Sequence, residues 1–185
     1  MKKKTSARQL ARAKRSAKQA TSKPDIEKAL ASLPVPGTYC PDEAGHFSGV
    51  LRSEDGKHVF VEYVLDQKHW PTAAWGALGR IAGADSEYDG LANTQAMAAA
   101  GNALAKKVLA MKVDGLGDIH IAAPRQARLA FVNGCLPKIG YAWTSCQYRY
   151  WANTAWAQYC SDGNQDVYLI STKLPVVLVR RKMIR

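Results

Sequence analysis

From Tyr141 to Arg181 the chain alternates short, aromatic-rich apolar runs with polar turns. The runs include Tyr141-Ala142-Trp143-Thr144-Ser145, Ala155-Trp156 and Leu174 to Val179, and the clearest turn is Ser161-Asp162-Gly163-Asn164-Gln165. That rhythm is too short for helices and suits strands joined by tight loops. No nucleophile in this stretch has a base beside it. Rings, amides and a few cations on a strand-and-loop scaffold are the materials of a binding surface, so the stretch reads as a recognition module rather than an enzyme.

The positive charge lies elsewhere. Over 185 residues the formal net charge is +11, yet residues 1–24 hold nine of the 26 basic groups and no acid. The other 161 residues balance 17 basic groups against 15 acidic ones. Residues 1–34 are therefore expected to be a basic arm, extended or helical, and residues 35–185 the folded domain. With Leu10 as the one large apolar residue of 5–20, that segment has no face to bury, and it orders only against an acidic partner or another subunit. Docking is assigned to Lys2, Lys3, Lys4, Arg8, Arg12, Lys14, Arg15 and Lys18. Nine cations without aromatic rings fit electrostatic attachment, either to an acidic face of a larger assembly or, as the alternative, to nucleic acid without sequence readout.

No apolar run approaches the roughly 20 residues that span a bilayer. Arg8, Arg12, Lys14 and Arg15 occupy the place of a signal peptide's apolar segment, so synthesis in the cytoplasm without a signal peptide is expected. Cys40, Cys135, Cys146 and Cys160 lack zinc-ligand spacing and read as free thiols, with a Cys146–Cys160 bridge reserved for an oxidising exterior.

Local signals sketch the rest of the domain. A short helix is expected over 25–33 and a hairpin over 47–64, turning at Asp55-Gly56. Residues 66–90 read as a long loop that either carries function or packs as a structured element. One helix is expected from Asn93 to Met111, weakened at Gly101, and another from Pro124 to Asn133, with a strand at Ile119 to Ile121 between them. Strands and loops fill the remainder. The sum is an α+β domain.

Several pieces then appear in a telling order: Asp89-Gly90-Leu91-Ala92-Asn93-Thr94, Leu129 to Asn133, Tyr141 to Tyr148, Ala155-Trp156, Asp162-Gly163-Asn164-Gln165, Lys173 and Val179-Arg180-Arg181. Together, over about residues 37–183, they resemble the DUF1566 domain of bacteriophages and prophages, which also ends the Legionella collagen-like adhesin. The resemblance implies a C-type-lectin-like fold, two helices with short antiparallel strands and long loops, preceded here by the basic arm. It further implies a non-enzymatic, adhesin-like accessory protein of the virion. Two positions depart from the family pattern: Gln126 stands where relatives carry Glu, and Val177 where they carry Arg. Losing both halves of a buried ion pair together is nearly neutral, which would explain the paired change if the two positions meet.

Ligand contacts are assigned to Tyr148, Arg149, Tyr150, Trp151, Asn153, Asn164, Gln165 and Tyr168, whereas Trp143 and Trp156 are assigned to the core. The calcium-binding triplets of C-type lectins do not occur, and Trp151-Ala152-Asn153 lacks the carboxylate that a hard cation wants, so no metal or cofactor is expected. Other virion proteins are the expected partners of the arm, within an oligomeric assembly. A host-surface ligand or glycan is the expected partner of the body.

Overall fold

The structure, a computed structural model, describes residues 23–76 and 78–184. The docking cations Lys2 to Lys18 lie outside them. The chain divides into two compact units, one of them spanning Pro34–Lys182. The described part of the other holds α1 (Lys23–Ala31), closed by the Ser32 hydroxyl donating to Ala29 O (2.8 Å).

Within Pro34–Lys182 the architecture is α+β, with antiparallel pairing. The main sheet runs β1 (Tyr39–Cys40), β2 (Gly45–Arg52), β3 (Val59–Val64), β10 (Leu178–Met183, whose last residue falls outside this unit) and β5 (His120–Ile121) in spatial order. A second sheet pairs β4 (Thr72–Ala74) with β9 (Lys173–Pro175), and a third orders β6 (Tyr141–Gln147), β7 (Thr154–Tyr159) and β8 (Gln165–Leu169). The pairs β1–β2, β2–β3, β5–β10, β4–β9, β6–β7 and β7–β8 are all antiparallel. The Asp55-Gly56 turn places Val50 opposite Val61, as the alternation of the hairpin requires.

Three helices pack on these sheets. The expected single helix over Asn93–Met111 is two: α2 (Gly90–Ala99) and α3 (Ala103–Leu109). Gly101 adopts φ +91°, and Asn102 then starts α3 by accepting from Ala105 N (3.0 Å) while donating to Trp75 O (2.8 Å). A left-handed residue followed by an Asn cap ends one helix and begins the next. Among its described residues the body therefore holds three α-helices rather than the expected two, and α1 lies close to the short helix expected over 25–33. In α4 (Pro124–Val132) the buried face is Gln126, Ala127 and Ala130, whereas the apolar Val132 is exposed.

Residues 66–90, expected as a long loop, include a 3-10 turn (Gln67–His69) and strand β4, and pack where Trp75 and Ala84 are buried. Trp75 is fully buried and its indole donates to Thr144 O (2.8 Å), so the loop crosses the β6 strand with its polar atom satisfied. The core is continuous from Val64 and Leu65 through Trp75, Met97 and Ile121 to Trp143 and Val176–Val179.

The residues that carry the family resemblance converge on internal hydrogen bonds. Asp89 caps α2, accepting from Ala92 N (2.9 Å), and pairs with Arg181 (2.9 Å). Gly90 comes so close to β5 that a Cβ there would collide with Ile121 O and Gln126 Oε1. The Asn93 amide donates to Ser86 O and Ser145 Oγ, and the Thr94 hydroxyl donates to Gly90 O while accepting from Ile121 N. Alternation along β10 sends Arg180 to Glu43 and Arg181 to Asp89.

Gln126, one of the two departures, sits at a buried polar node. Its Oε1 accepts from Ala123 N (2.8 Å) and Gly90 N (3.2 Å), and its amide donates to Glu62 Oε2 (2.8 Å) and His120 Nε2 (3.3 Å). Because an amide nitrogen only donates, His120 Nε2 accepts, and its Nδ1 carries the proton toward Asp118 O. Burial holds the His120 ring neutral, lowering its pKa to about 4. Burial raises the Glu62 carboxyl to about 7, against the opposing pulls of Gln126 and Arg181, and Glu62 Oε1 has no hydrogen-bond partner among the described residues. Val177, the other, is a fully buried core residue whose carbonyl accepts from Ala122 N, and the carboxylate at Gln126 is Glu62 of β3.

Candidate functional site

The loop after β6 is held from below. Gln147, the last residue of that strand, is 1% exposed and spends its whole side chain on backbone. Its amide donates to Gly79 O (2.7 Å) and Ala152 O (2.6 Å), and its Oε1 accepts from Ile81 N (2.8 Å). Arg80 adds two more anchors, donating to Tyr148 O (2.8 Å) and Arg149 O (2.7 Å). Residues 79–81 thereby fix the path of 148–152, and the Tyr148 and Arg149 carbonyls are tied while their side chains stay outside. Five such bonds make a preorganised loop.

Three rings follow from that path, and Trp156 of β7 joins them. Tyr148 lies at the centre, edge-on to Tyr150 (5.4 Å), Trp151 (5.4 Å) and Trp156 (5.3 Å). Edge-to-face contacts of this kind contribute about 0.5–1.5 kcal/mol each beyond buried area. Tyr148, Tyr150 and Trp156 line an open cleft of about 490 Å³. Its opposite wall comes from far away in sequence: Glu54 from the hairpin turn, and Asp85, Glu87 and Tyr88 from the long loop. Arg149 is the one cation in the lining, with its guanidinium 5.4 Å from the Tyr150 ring centre.

The assigned ligand residues divide. Tyr148, Arg149 and Tyr150 lie in the cleft, with Trp151, 61% exposed, against the Tyr148 ring. Gln165 faces an adjoining cleft along α4, but its amide donates to Pro124 O (2.7 Å) and Gln158 Oε1 (2.8 Å), which ties β8 to α4. Asn164 closes its own turn on Asp162, and the Asn153 carbonyl accepts from Ile170 N. Tyr168 pairs across the strand from Ala155, whereas Trp156 pairs with Val167, so the alternation of β7 puts Tyr168 and Trp156 on opposite faces of the sheet. There Tyr168 meets Tyr141 at a tilt (ring centres 4.6 Å), and Tyr141 in turn meets Tyr159 (4.7 Å). Trp143 is core at 0% exposure, but Trp156, expected beside it, is half-buried and forms part of the cleft wall.

Sequence reasoning missed Glu54, Asp85, Glu87, Tyr88 and Arg80. The one signal present was the length of the 66–90 stretch, which supplies Arg80, Asp85, Glu87 and Tyr88 but not Glu54.

Cys146 lies at the base of the cleft and Cys160 behind the sheet, both buried free thiols. Burial, with the Glu87 and Asp85 carboxylates adding to it, pushes the Cys146 thiol up to about 12, and burial alone does the same for Cys160. Neither forms a thiolate nucleophile near neutral pH. Among the described residues no three His, Cys, Asp or Glu side chains converge as a metal-ligand set, and no helix is long and apolar enough to cross a membrane. The arrangement can offer ring faces, carboxylates and one guanidinium to a ligand that sits in an open trough. No family model matches the chain, and no curated protein matches it.

Proposed function

We propose that this chain is a non-enzymatic binding protein of DUF1566 type, with a C-type-lectin-like body that holds its ligand in the Tyr148 cleft. In this reading the basic arm anchors it to the other proteins of a phage or prophage virion, within an oligomeric assembly, and the ligand is a host-surface group such as a glycan or a protein segment. The observation that carries the reading is the cleft itself: three rings on a loop fixed by five side-chain-to-backbone bonds from Gln147 and Arg80, and a fourth, Trp156, from β7. Ring faces on a rigid loop give contact area at small entropic cost. Two further facts support it. The motif residues Asp89, Gly90, Asn93, Thr94 and Arg181 serve the architecture, which is the pattern expected of a scaffold whose ligand contacts lie elsewhere. The cleft thiol is held protonated, away from covalent chemistry.

The test compares labelled full-length protein, a form lacking residues 1–23, and Tyr148→Ala for binding to host cells and to DNA over a salt series. Cell binding that survives the truncation and is lost in Tyr148→Ala is the expected result. Binding that needs the arm and is erased by salt would instead favour the nucleic-acid reading, for which the nine cations and no acids of residues 1–24 argue.

A further inference from the structure

Resting on the assignment of the cleft as the ligand site, we infer that what it takes is a cationic side chain, an arginine before a lysine, on an extended segment of a protein partner.

Charge sets the sign. Glu54, Asp85 and Glu87 all line the cleft, against Arg149 as its one cation. Among the described residues neither Glu54 nor Asp85 is in a salt bridge, and Glu87 has only the exposed Arg125 Nε, at 3.9 Å. An anionic ligand entering here would meet carboxylates of its own sign.

Ring geometry narrows the choice. Twice around the cleft this protein fills a ring-and-carboxylate pair with a guanidinium. Arg125 lies 4.6 Å over Tyr88 beside Glu87, and Arg181 lies 4.3 Å over Phe60 with Asp89 at 2.9 Å. Inside the cleft the rings of Tyr148 and Trp156 share the lining with Glu54 and Asp85, and among the described residues no cation lies over either ring. A planar guanidinium can stack on a ring while bonding a carboxylate at its edge; an ammonium is more strongly hydrated and has no plane to stack.

The shape points to a chain rather than a small molecule. Glu54, Ser86 and Tyr88 also line the cleft that runs to Phe60 and Arg181, while Glu87 and Trp156 also line the one along α4. Clefts that share walls on two sides offer a chain more surface than one side chain covers.

Fluorescein-labelled hexa-arginine, hexa-lysine and a Gly-Ser hexapeptide, titrated with the full-length chain and read by anisotropy, test the inference. Hexa-arginine should bind several-fold tighter than hexa-lysine, with no binding of the Gly-Ser peptide. The double variant Glu54→Gln/Asp85→Asn alters two side chains of the cleft wall and should weaken hexa-arginine at least tenfold. Asp42→Asn removes one charge outside the cleft and should leave binding unchanged. No hexa-arginine binding, or equal weakening by the cleft variant and Asp42→Asn, overturns the inference. If host-cell binding is nevertheless lost in Tyr148→Ala, the cleft remains the ligand site and only the cationic ligand is wrong. If neither peptide nor cell binding responds to Tyr148→Ala, both readings fail.

Discussion

Gln126 and Gln147 are both buried amides that staple distant segments, yet they hold different kinds of partner. Gln147 bonds only backbone, at Gly79, Ile81 and Ala152. Gln126 bonds two backbone amides, a histidine and a carboxylate whose second oxygen is unpaired. The first junction has nothing that titrates; the second is built around two groups that do. A loop that must keep one shape for a ligand is tied with neutral bonds. The joint between β3, β5, α2 and α4 is instead sensitive to protons, and its state changes the stability of the whole unit.

Replacing each amide tests that difference most severely. Gln126→Leu removes four bonds and leaves Glu62 without a donor, so unfolding in urea should show a loss of about 4 kcal/mol or more, larger at pH 8 than at pH 5. Gln147→Leu orphans two carbonyls and one N–H, for a loss of about 3 kcal/mol. That loss should be equal at pH 5 and pH 8, and cleft binding should disappear with it. Unequal losses at the two pH values for Gln147→Leu would erase the distinction between the junctions.

Glu62→Gln isolates the titrating part. The carboxyl is raised from 4.5 unfolded to about 7 folded. The stability it contributes is therefore complete below pH 4.5 and is lost as pH rises through 7. Full conversion corresponds to roughly 3 kcal/mol, and relaxation around the group lowers the expected figure to about 2 kcal/mol. Relative to the parent, Glu62→Gln should gain that much between pH 4.5 and pH 8. His120 works in the opposite sense: lowered from 6.5 to about 4, it contributes stability above 6.5 that is lost as pH falls through 4. The two slopes oppose each other in the parent between 4.5 and 6.5, and the variant should expose the His120 slope alone. The smallest effect belongs to Tyr168→Phe. It keeps the tilted ring contact with Tyr141 and gives up the hydroxyl's hydrogen bond to Tyr141 on the face opposite Trp156, so it should cost about 0.5–1 kcal/mol and leave cleft binding unchanged.

The hairpin over 47–64 and α4 are readable because their signals are local. Asp55-Gly56 specifies a turn and Pro124 a helix start whatever the rest of the chain does. The break at Gly101 is visible only as a weak spot, since Asn102 becomes a cap once Trp75 O and Ala105 N are both in reach. The cleft is half legible. Tyr148, Arg149 and Tyr150 stand together in sequence, but the wall opposite them comes from Glu54 and from 85–88, about sixty residues or more upstream, and no periodicity joins those segments. Trp156 misleads because a tryptophan on a strand next to two alanines reads as core; β7 turns the alanines inward and the indole outward. Both glutamine junctions are invisible for the same reason, as most of their partners are backbone atoms contributed by remote segments.

β10 sits between β3 and β5, though it follows both in sequence by more than fifty residues. On the ribosome the main sheet must remain split until residue 183 has emerged, with the facing edges of β3 and β5 unpaired and Asp89 still lacking its Arg181 partner. Nascent protein of this design depends on protection of those edges, and accumulation in soluble form should respond more to translation speed and chaperone supply than a fold closed from its N-terminus would.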